Sequence, residues 1–290
     1  MRRILCLFIM VVTLLCGCKS TEVQPVINEI VYDSETFKIP SEPTEKPIEP
    51  AETEVVEIEE EVAEKEPENK PEPEEKPPVV IPEIKPLAEG ERVRVALTFD
   101  DGPSKHTERL LDIFANYGGK GSFFVIGNSI EGNEATVNRI LNEGHELGNH
   151  TWNHKKLTKL TSQEITDEIV ITKEKILEVT GYECNIVRPP YGAFDEKVKG
   201  VCEELNMPII TWSVDPVDWK TRDKDAICAD VLNGVKDGAI ILCHDLYGTT
   251  VDAMEYVIPK LTECGYELVT VSELLGELEP GKVHRKTKGL

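Results

Sequence analysis

From residue 92 onward the sequence alternates between short β-rich runs and stretches with helical periodicity, and this alternation limits the fold more than any other feature. Seven runs are predicted as strands: 93–99, 121–127, 145–150, 185–188, 208–214, 238–244 and 266–271. Helices are predicted between them. Strands that alternate with helices pair in parallel through right-handed crossovers. The pattern therefore predicts an α/β domain, and both a doubly wound sheet and a barrel fit it.

In either fold the functional residues belong at the carboxyl ends of the strands. Five predicted strands end in such residues: Thr98-Phe99-Asp100-Asp101-Gly102-Pro103, His150-Thr151-Trp152-Asn153-His154, Arg188-Pro189-Pro190-Tyr191-Gly192, Asp215-Pro216-Val217-Asp218-Trp219 and Leu242-Cys243-His244-Asp245. An Asp-Asp-Gly-Pro run by itself is typical of a surface turn. Five loops that supply carboxylates, imidazoles and a guanidinium to one face indicate a functional site.

The histidines of the second of these loops suggest a metal site. His150 and His154 are four residues apart, a spacing that places both imidazoles on one face of a helical turn. That pair alone is a weak signal. With Asp101 it becomes two imidazoles and a carboxylate, a set that leaves open positions on a divalent ion for water and substrate. We expect His145 to be structural and His284 to lie on the surface.

Taken together and in this order, the five motifs resemble the NodB-type polysaccharide deacetylases, carbohydrate esterase family 4, over roughly residues 92–275. The resemblance implies a deformed (β/α) barrel of about seven parallel strands. It also implies a hydrolase that cleaves linear amides, removing N-acetyl groups with the help of a metal ion.

The resemblance assigns the metal and the base. It implies one divalent ion, zinc first with cobalt, nickel or manganese as alternatives, held by Asp101, His150 and His154. Asp100 would be the general base that takes a proton from the attacking water. Arg188 would pair with Asp100, favour its ionised form and fix its orientation.

The resemblance also assigns the acid and the substrate pocket. His244 would protonate the leaving amine, and Asp218 would favour its imidazolium form. The backbone N–H of Tyr191 would help to stabilise the tetrahedral oxyanion. Trp219 and Leu242 would wall the pocket for the acetyl methyl group, with ordinary core packing as the alternative explanation of both.

Composition separates this domain from what precedes it. The 290 residues carry a formal net charge of -22, and residues 41–86 hold 16 Glu and no Asp against 5 Lys. A Glu- and Pro-rich segment with so little apolar surface is predicted to be a disordered tether, here 19–86. The acidic balance argues against a nucleic-acid partner, because phosphate binding needs a basic surface. We predict the deacetylase domain at 87–278 and a basic tail at 279–290.

The first eighteen residues have the pattern of a targeting segment. Arg2 and Arg3 precede an apolar stretch, 4–15, that is too short for an ordinary membrane-spanning helix. The stretch ends in Leu15-Cys16-Gly17-Cys18, which resembles a lipoprotein lipobox with Cys18 as the lipidated residue. An ordinary cleaved signal peptide is the alternative. We expect an exported chain, lipid-anchored on the outer side of the cytoplasmic membrane and facing the cell wall.

The cysteines beyond this segment do not form a recognisable framework. Five remain, an odd number without Cys-x-x-Cys spacing: Cys184, Cys202, Cys228, Cys243 and Cys264. This pattern fits neither a disulfide scaffold nor a zinc knuckle. We expect small buried apolar side chains, with one disulfide left open.

Three functions remain open from the sequence. The first is deacetylation of N-acetylglucosamine in a cell-envelope polysaccharide, with peptidoglycan as the partner that suits a tethered, exported enzyme. The second is deacetylation of chitin-type oligomers, poly-N-acetylglucosamine or O-acetylated xylan; xylan would release no amine. The third is a non-catalytic glycan-binding lipoprotein, which intact metal and acid–base residues disfavour. No protein partner is implied.

Overall fold

The computed structural model describes residues 78–285. The predictions for the segment 1–18, including Cys18, for 19–77 and for 286–290 lie outside the described residues. Within 78–285 no helix combines the length and apolar character needed to cross a membrane.

The described chain alternates between strands and helices, as predicted. The strands are β1 (Arg94–Asp100), β2 (Gly121–Val125), β3 (Glu146–Asn149), β4 (Ile209–Ile210), β5 (Ala239–His244), β6 (Glu267–Leu268) and β7 (Val283–His284). The helices are α1 (Thr107–Tyr117), α2 (Glu134–Asn142), α3 (Ser162–Thr180), α4 (Glu196–Glu204), α5 (Asp218–Thr221), α6 (Lys224–Gly234), α7 (Gly248–Glu263) and α8 (Val271–Leu275). Local sequence sets both ends of α3, because Thr161 and Glu164 form a capping box and Gly181 ends the helix with φ 71°.

All of the strand pairs are parallel, and they form a deformed barrel. The main path is β3-β2-β1-β5, and β6 pairs with the start of β1. Single bridges at Val187 and Val214 continue the ring between β3, β4 and β5. The predicted strands 185–188 and 208–214 are thus reduced to isolated bridges and the two-residue β4. The loss of regular pairing on this side accounts for the deformation, and the fold class is confirmed.

The centre of the barrel explains why β1 and β5 are nearly continuous apolar runs. Val95, Ala96 and Leu97 are fully buried, as expected for parallel strands covered on both faces. Phe99 stacks on Phe123 across β1 and β2, with ring centroids 5.2 Å apart. Burial of each such ring contributes about 1.5–3 kcal/mol. This core holds the end of β1, where the two aspartates lie, in a fixed position.

Within residues 78–285, contacts with the barrel continue on both sides of the predicted domain, 87–278. At the amino-terminal end, Ile84 is buried in the core and the Leu87 N–H donates to the Cys264 carbonyl at 2.9 Å. At the other end, β7 pairs with β4, and His284 is 9% exposed. The prediction that His284 lies on the surface is wrong, because β4 recruits a partner that is 74 positions away and invisible in local patterns. The segment around Ile84 and Leu87 lies near the start of β1 and β6, at the opposite end of the strands from the aspartates.

All five domain cysteines are buried and none is paired. Burial raises the pKa of the Cys184 and Cys202 thiols to about 12. They act as small apolar side chains, and the disulfide left open by the sequence does not form.

Candidate active site

One cavity of about 520 Å³ lies at the carboxyl ends of the strands. Its walls contain eight of the predicted site residues and four others, Gly192, Trp212, Asp215 and Tyr247. The eight are Asp100, Asp101, His150, His154, Tyr191, Trp219, Leu242 and His244. Arg188 and Asp218 lie behind this wall, fully buried, and act through their neighbours. The ten predicted domain residues therefore belong to one site.

The turn after β1 separates the two aspartates. Asp101 adopts a left-handed backbone conformation with φ 71°, which few residues other than glycine adopt. At Gly102, a Cβ atom would lie 2.7 Å from both carboxylate oxygens of Asp245. Only glycine fits there. The turn leaves Asp100 buried, 3% exposed, and holds Asp101 closer to the cavity mouth.

Asp100 is held by a buried ion pair. Its Oδ1 accepts a hydrogen bond from Arg188 Nη1 at 2.7 Å, and the same nitrogen donates to Thr98 Oγ1 at 2.8 Å. The guanidinium lies over the Phe124 ring, 4.0 Å from its centroid. Charge-assisted contacts of this kind fix the orientation of the carboxylate.

The two histidines of the second motif meet Asp101. His150 Nε2 lies 3.4 Å and His154 Nε2 3.3 Å from Asp101 Oδ1. The predicted helical turn is wrong: residues 150–156 form an irregular loop, in which Thr151 (φ 67°) and His154 (φ 54°) are left-handed. The loop backbone, not helical spacing, brings the imidazoles together, with ring centroids 5.0 Å apart.

The chemistry of this cluster fits a cation. His150 Nδ1 is 2.7 Å from the Arg188 carbonyl oxygen and must donate to it, which turns the lone pair of Nε2 toward Asp101. The buried Asp101 Oδ1 has no hydrogen-bond partner. Candidate ligand atoms of Asp101, His150 and His154 all lie within 4.8 Å of one another. Converging lone pairs need a positive charge between them, and two imidazoles with one carboxylate suit a divalent ion such as zinc.

The electrostatics of Asp101 and His154 agree with metal binding. Burial acts to raise the pKa of Asp101, but the neighbouring imidazoles of His150 and His154 outweigh it, and the net pKa is lowered. Burial lowers the pKa of His154, which favours the neutral imidazole that binds metals.

A second buried pair lies across the cavity. His244 Nδ1 is 2.7 Å from Asp218 Oδ1, and the His244 backbone N–H donates to Asp218 Oδ2 at 2.8 Å. Thr250 Oγ1 also donates to Oδ2, at 2.7 Å. Burial opposes the charged imidazole, but Asp218 outweighs it with help from Asp100 and Asp101, and the pKa of His244 rises to about 9. His244 is therefore protonated at neutral pH.

Aromatic and apolar side chains form the rest of the wall. Leu242 is 4% exposed, whereas Trp219 and Tyr191 are 49% and 66% exposed. Tyr191 has φ 61°, and its ring lies edge-on to His154, with centroids 4.8 Å apart. Trp212 and Tyr247 also line the cavity, and neither was predicted.

Sequence reasoning also missed the buried residues that position the motif loops. Glu168 accepts from the Asn153 backbone N–H at 2.7 Å and so holds the histidine loop. Asp245 accepts from Thr107 Oγ1, which ties the loop after β5 to α1. Glu168 falls within the apolar stripe of α3, a signal that could have revealed it. The contact of Asp245 joins distant parts of the chain and has no local signature.

The chain is similar to known deacetylases. A family profile described as polysaccharide deacetylase matches residues 88–210. The peptidoglycan-N-acetylglucosamine deacetylase PgdA of Listeria monocytogenes is 45% identical over 206 residues, covering 70% of this chain and 43% of that protein. The peptidoglycan-N-acetylmuramic acid deacetylase PdaC of Bacillus subtilis is 43% identical over 181 residues, covering 62% of this chain and 38% of that protein. The chain thus spans about two fifths of the length of these relatives.

Solved structures share the fold. The structure described as T48 deacetylase with substrate has a TM-score of 0.64 and 38% identity, covering 67% of this chain and 96% of that one. The structure of PdaC from Bacillus subtilis has a TM-score of 0.61 and 42% identity, covering 65% of this chain and 92% of that one.

Proposed function

This chain belongs to the polysaccharide deacetylase family, and on that premise we propose that it is a metal-dependent hydrolase of N-acetyl groups on a cell-envelope glycan. One observation carries the proposal. A buried carboxylate–guanidinium pair and a buried imidazole–carboxylate pair lie in the wall of one cavity that also contains the Asp101, His150 and His154 cluster. A base, an acid and a cation site are the groups that amide hydrolysis requires.

Asp100 is the proposed general base. Arg188 occupies its Oδ1 and leaves Oδ2 on the side of the metal cluster, 3.7 Å from His150 Nε2. Asp100 can therefore accept a proton from a water molecule as that water attacks the acetamide carbon. Arg188 is a positioning residue here, since it is fully buried and cannot contact the glycan.

His244 is the proposed general acid. Its Nδ1 is engaged by Asp218, so the proton on Nε2 remains for the leaving nitrogen when the C–N bond breaks. The products are acetate and a free amine. The backbone N–H of Tyr191, in a loop beside His154, is the proposed donor to the oxyanion.

Asp101, His150 and His154 would hold the metal. When bound, a divalent ion polarises the acetamide carbonyl and lowers the pKa of water. We propose zinc, with cobalt, nickel or manganese as substitutes, because two imidazole nitrogens and one carboxylate oxygen form a typical catalytic zinc set. Leu242 and Trp219 would enclose the acetyl methyl group, since both line the cavity and Leu242 is almost fully buried.

The proposed substrate is peptidoglycan, with N-acetylglucosamine as the sugar that loses its acetyl group. The similarity to PgdA supports this choice. The similarity to PdaC favours a second candidate, the N-acetylmuramic acid of the same polymer. Chitin-type oligomers, poly-N-acetylglucosamine and O-acetylated xylan remain alternatives with weaker support.

The proposed location is the outer side of the cytoplasmic membrane, with Cys18 lipidated and 19–86 as the predicted tether. The sequence pattern of 1–18 supports this, and the segment around Ile84 and Leu87 joins the barrel at the end opposite the cavity. Membrane fractionation of Cys18→Ser tests it. We expect the variant in the soluble fraction, and unchanged membrane association would contradict lipidation.

Product analysis tests the chemistry. The full chain is incubated with peptidoglycan, chitotetraose and acetylated xylan, and acetate and free amines are measured in parallel. We expect equal amounts of acetate and amine from peptidoglycan. Release of acetate without amine would indicate an esterase, and no release from any substrate would support the non-catalytic alternative.

A further inference from the structure

Beside the cavity lies a guanidinium that has no carboxylate partner within residues 78–285. These residues contain seven arginines, and five of them form ion pairs: Arg92, Arg94, Arg109, Arg139 and Arg188. Of the other two, Arg285 is the last residue described and Arg222 lies beside the cavity. Most arginines of this acidic domain are paired, so an unpaired one beside the cavity needs a reason.

Arg222 is nevertheless held in place. Its Nε donates to the Trp219 carbonyl oxygen at 2.7 Å, and its guanidinium lies 3.2 Å from the centroid of the Tyr247 ring. These two contacts occupy the Nε–H and one face of the guanidinium. Within residues 78–285, Nη1 and Nη2 donate to no protein atom, and the side chain is exposed. Nη1 and Nη2, two donors in one plane on a fixed side chain, are therefore free to bind a ligand.

The position relates this donor pair to the reaction. Trp219 and Tyr247 line the cavity, and the Tyr247 ring lies 6.1 Å from the ring of His244, the proposed acid. One aromatic ring therefore separates Arg222 from the place where the amine leaves. At this distance the guanidinium would contact a neighbouring sugar or its substituent instead of the acetamide.

We propose that Arg222, stacked on Tyr247, forms a subsite for a carboxylate carried by the glycan beside the sugar that is deacetylated. The inference rests on the proposed function. A planar guanidinium matches a carboxylate with two parallel hydrogen bonds. Asp215 in the cavity wall is exposed and forms no ion pair within residues 78–285, so its charge would repel an anionic glycan. A fixed cation at the rim offsets that repulsion and selects acidic glycans over neutral ones.

Two sources in peptidoglycan can supply this carboxylate: the lactyl group of a muramic sugar without peptide, and the acidic residues of a stem peptide. The test uses three soluble substrates. Chitotetraose is neutral, a peptide-free alternating tetrasaccharide presents lactyl carboxylates, and its peptide-bearing form presents only peptide carboxylates. The full chain, loaded with zinc, is compared with Arg222→Gln, Arg222→Lys and the control Lys220→Gln, which removes an exposed charge on α5, two residues before Arg222.

We expect Arg222→Gln to lower kcat/KM for an acidic glycan, relative to chitotetraose, about tenfold, mainly through KM. Arg222→Lys should recover part of the ratio, and Lys220→Gln should keep the wild-type ratio. A loss confined to the peptide-free glycan assigns the lactyl group, and a loss confined to the peptide-bearing glycan assigns the stem peptide.

Two results would overturn the subsite, and they differ. If Arg222→Gln changes kcat/KM equally for neutral and acidic glycans, Arg222 only supports the Tyr247 and Trp219 loops. If the wild-type chain releases acetate from none of the three substrates, the proposed function fails and the subsite fails with it.

Discussion

Each side of the cavity contains a carboxylate paired with a cationic side chain, but opposite members of the two pairs face the cavity. On one side the carboxylate of Asp100 faces the cavity and the cation of Arg188 supports it from behind. On the other side the imidazole of His244 faces the cavity and the carboxylate of Asp218 supports it from behind. In each pair the supporting partner is fully buried.

The difference lies in which partner can change its charge. A guanidinium stays protonated, so the charge that supports Asp100 does not change with pH in the working range. An imidazole titrates near neutrality, and Asp218 moves that titration upward, to about 9. We therefore expect substitution of the supporting residue on the base side to lower the stability of the fold, because it breaks a buried ion pair. Substitution of the supporting residue on the acid side should shift the pH dependence of kcat.

The largest expected effect is on turnover when the base is removed. Asp100→Asn keeps the shape of the side chain and its contact with Arg188 but cannot accept a proton. We expect kcat to fall about 10³-fold while the variant still binds one equivalent of zinc. Acetate release and metal content measure the two effects. The control Asp230→Asn removes an exposed carboxylate, and near-normal turnover of Asp100→Asn would refute its assignment as the base.

Removing the buried cation should affect folding most. Arg188→Met leaves Asp100 buried without its counter-ion, which costs about 3–5 kcal/mol of unfolding free energy. The control Arg109→Met breaks two exposed pairs, with Asp252 and Glu255, and should cost about 1 kcal/mol or less. Urea unfolding of both variants measures the difference. Equal losses would mean that the base side has no special dependence on its buried pair.

The acid side should respond through pH. Because the pKa of His244 is about 9, kcat should hold at neutral pH and fall as pH rises through 9. Asp218→Asn removes the charge that raises this pKa, so the alkaline limb should move down by about one pH unit or more, toward the ordinary value of histidine. The stabilisation from the pair is complete below about 6.5 and is lost as pH rises through 9. An unmoved limb in the kcat profile would show that another group is the acid.

The smallest effect is expected at Tyr191. The proposal uses its backbone N–H, and its side chain is 66% exposed. Tyr191→Phe should therefore change kcat/KM by about twofold or less. Steady-state kinetics on chitotetraose measures this change. A loss of kcat/KM above tenfold would mean that the Tyr191 hydroxyl itself contacts the substrate.

The residues that line the cavity were easier to predict from the sequence than Thr98 and Thr250, which contact the two buried pairs. Asp100, Asp101 and His244 are recognisable because they stand beside strand ends, where a parallel fold gathers its polar loops. The contacts of Thr98 and Thr250 join distant residues and leave no periodic pattern.

The same reason explains the errors in the fold. The two-residue β4 and β7 exist only because each provides a partner for the other. The histidine loop reads as a helical turn by spacing, yet Asn149 and Glu168 hold it in left-handed conformations through contacts with 151 and 153. Local periodicity cannot represent conformations that tertiary contacts impose.

The proposed reaction depends on a cation held by Asp101, His150 and His154, and metal reconstitution tests this most directly. The full chain is stripped with a chelator and reloaded with one equivalent of Zn²⁺, alongside a His150→Ala, His154→Ala double variant, and acetate release from peptidoglycan is measured. We predict less than about 1% of the activity without metal, recovery with one equivalent, and no recovery in the double variant. Full activity in the stripped chain, or equal recovery in the variant, would contradict a metal-dependent deacetylase at this site.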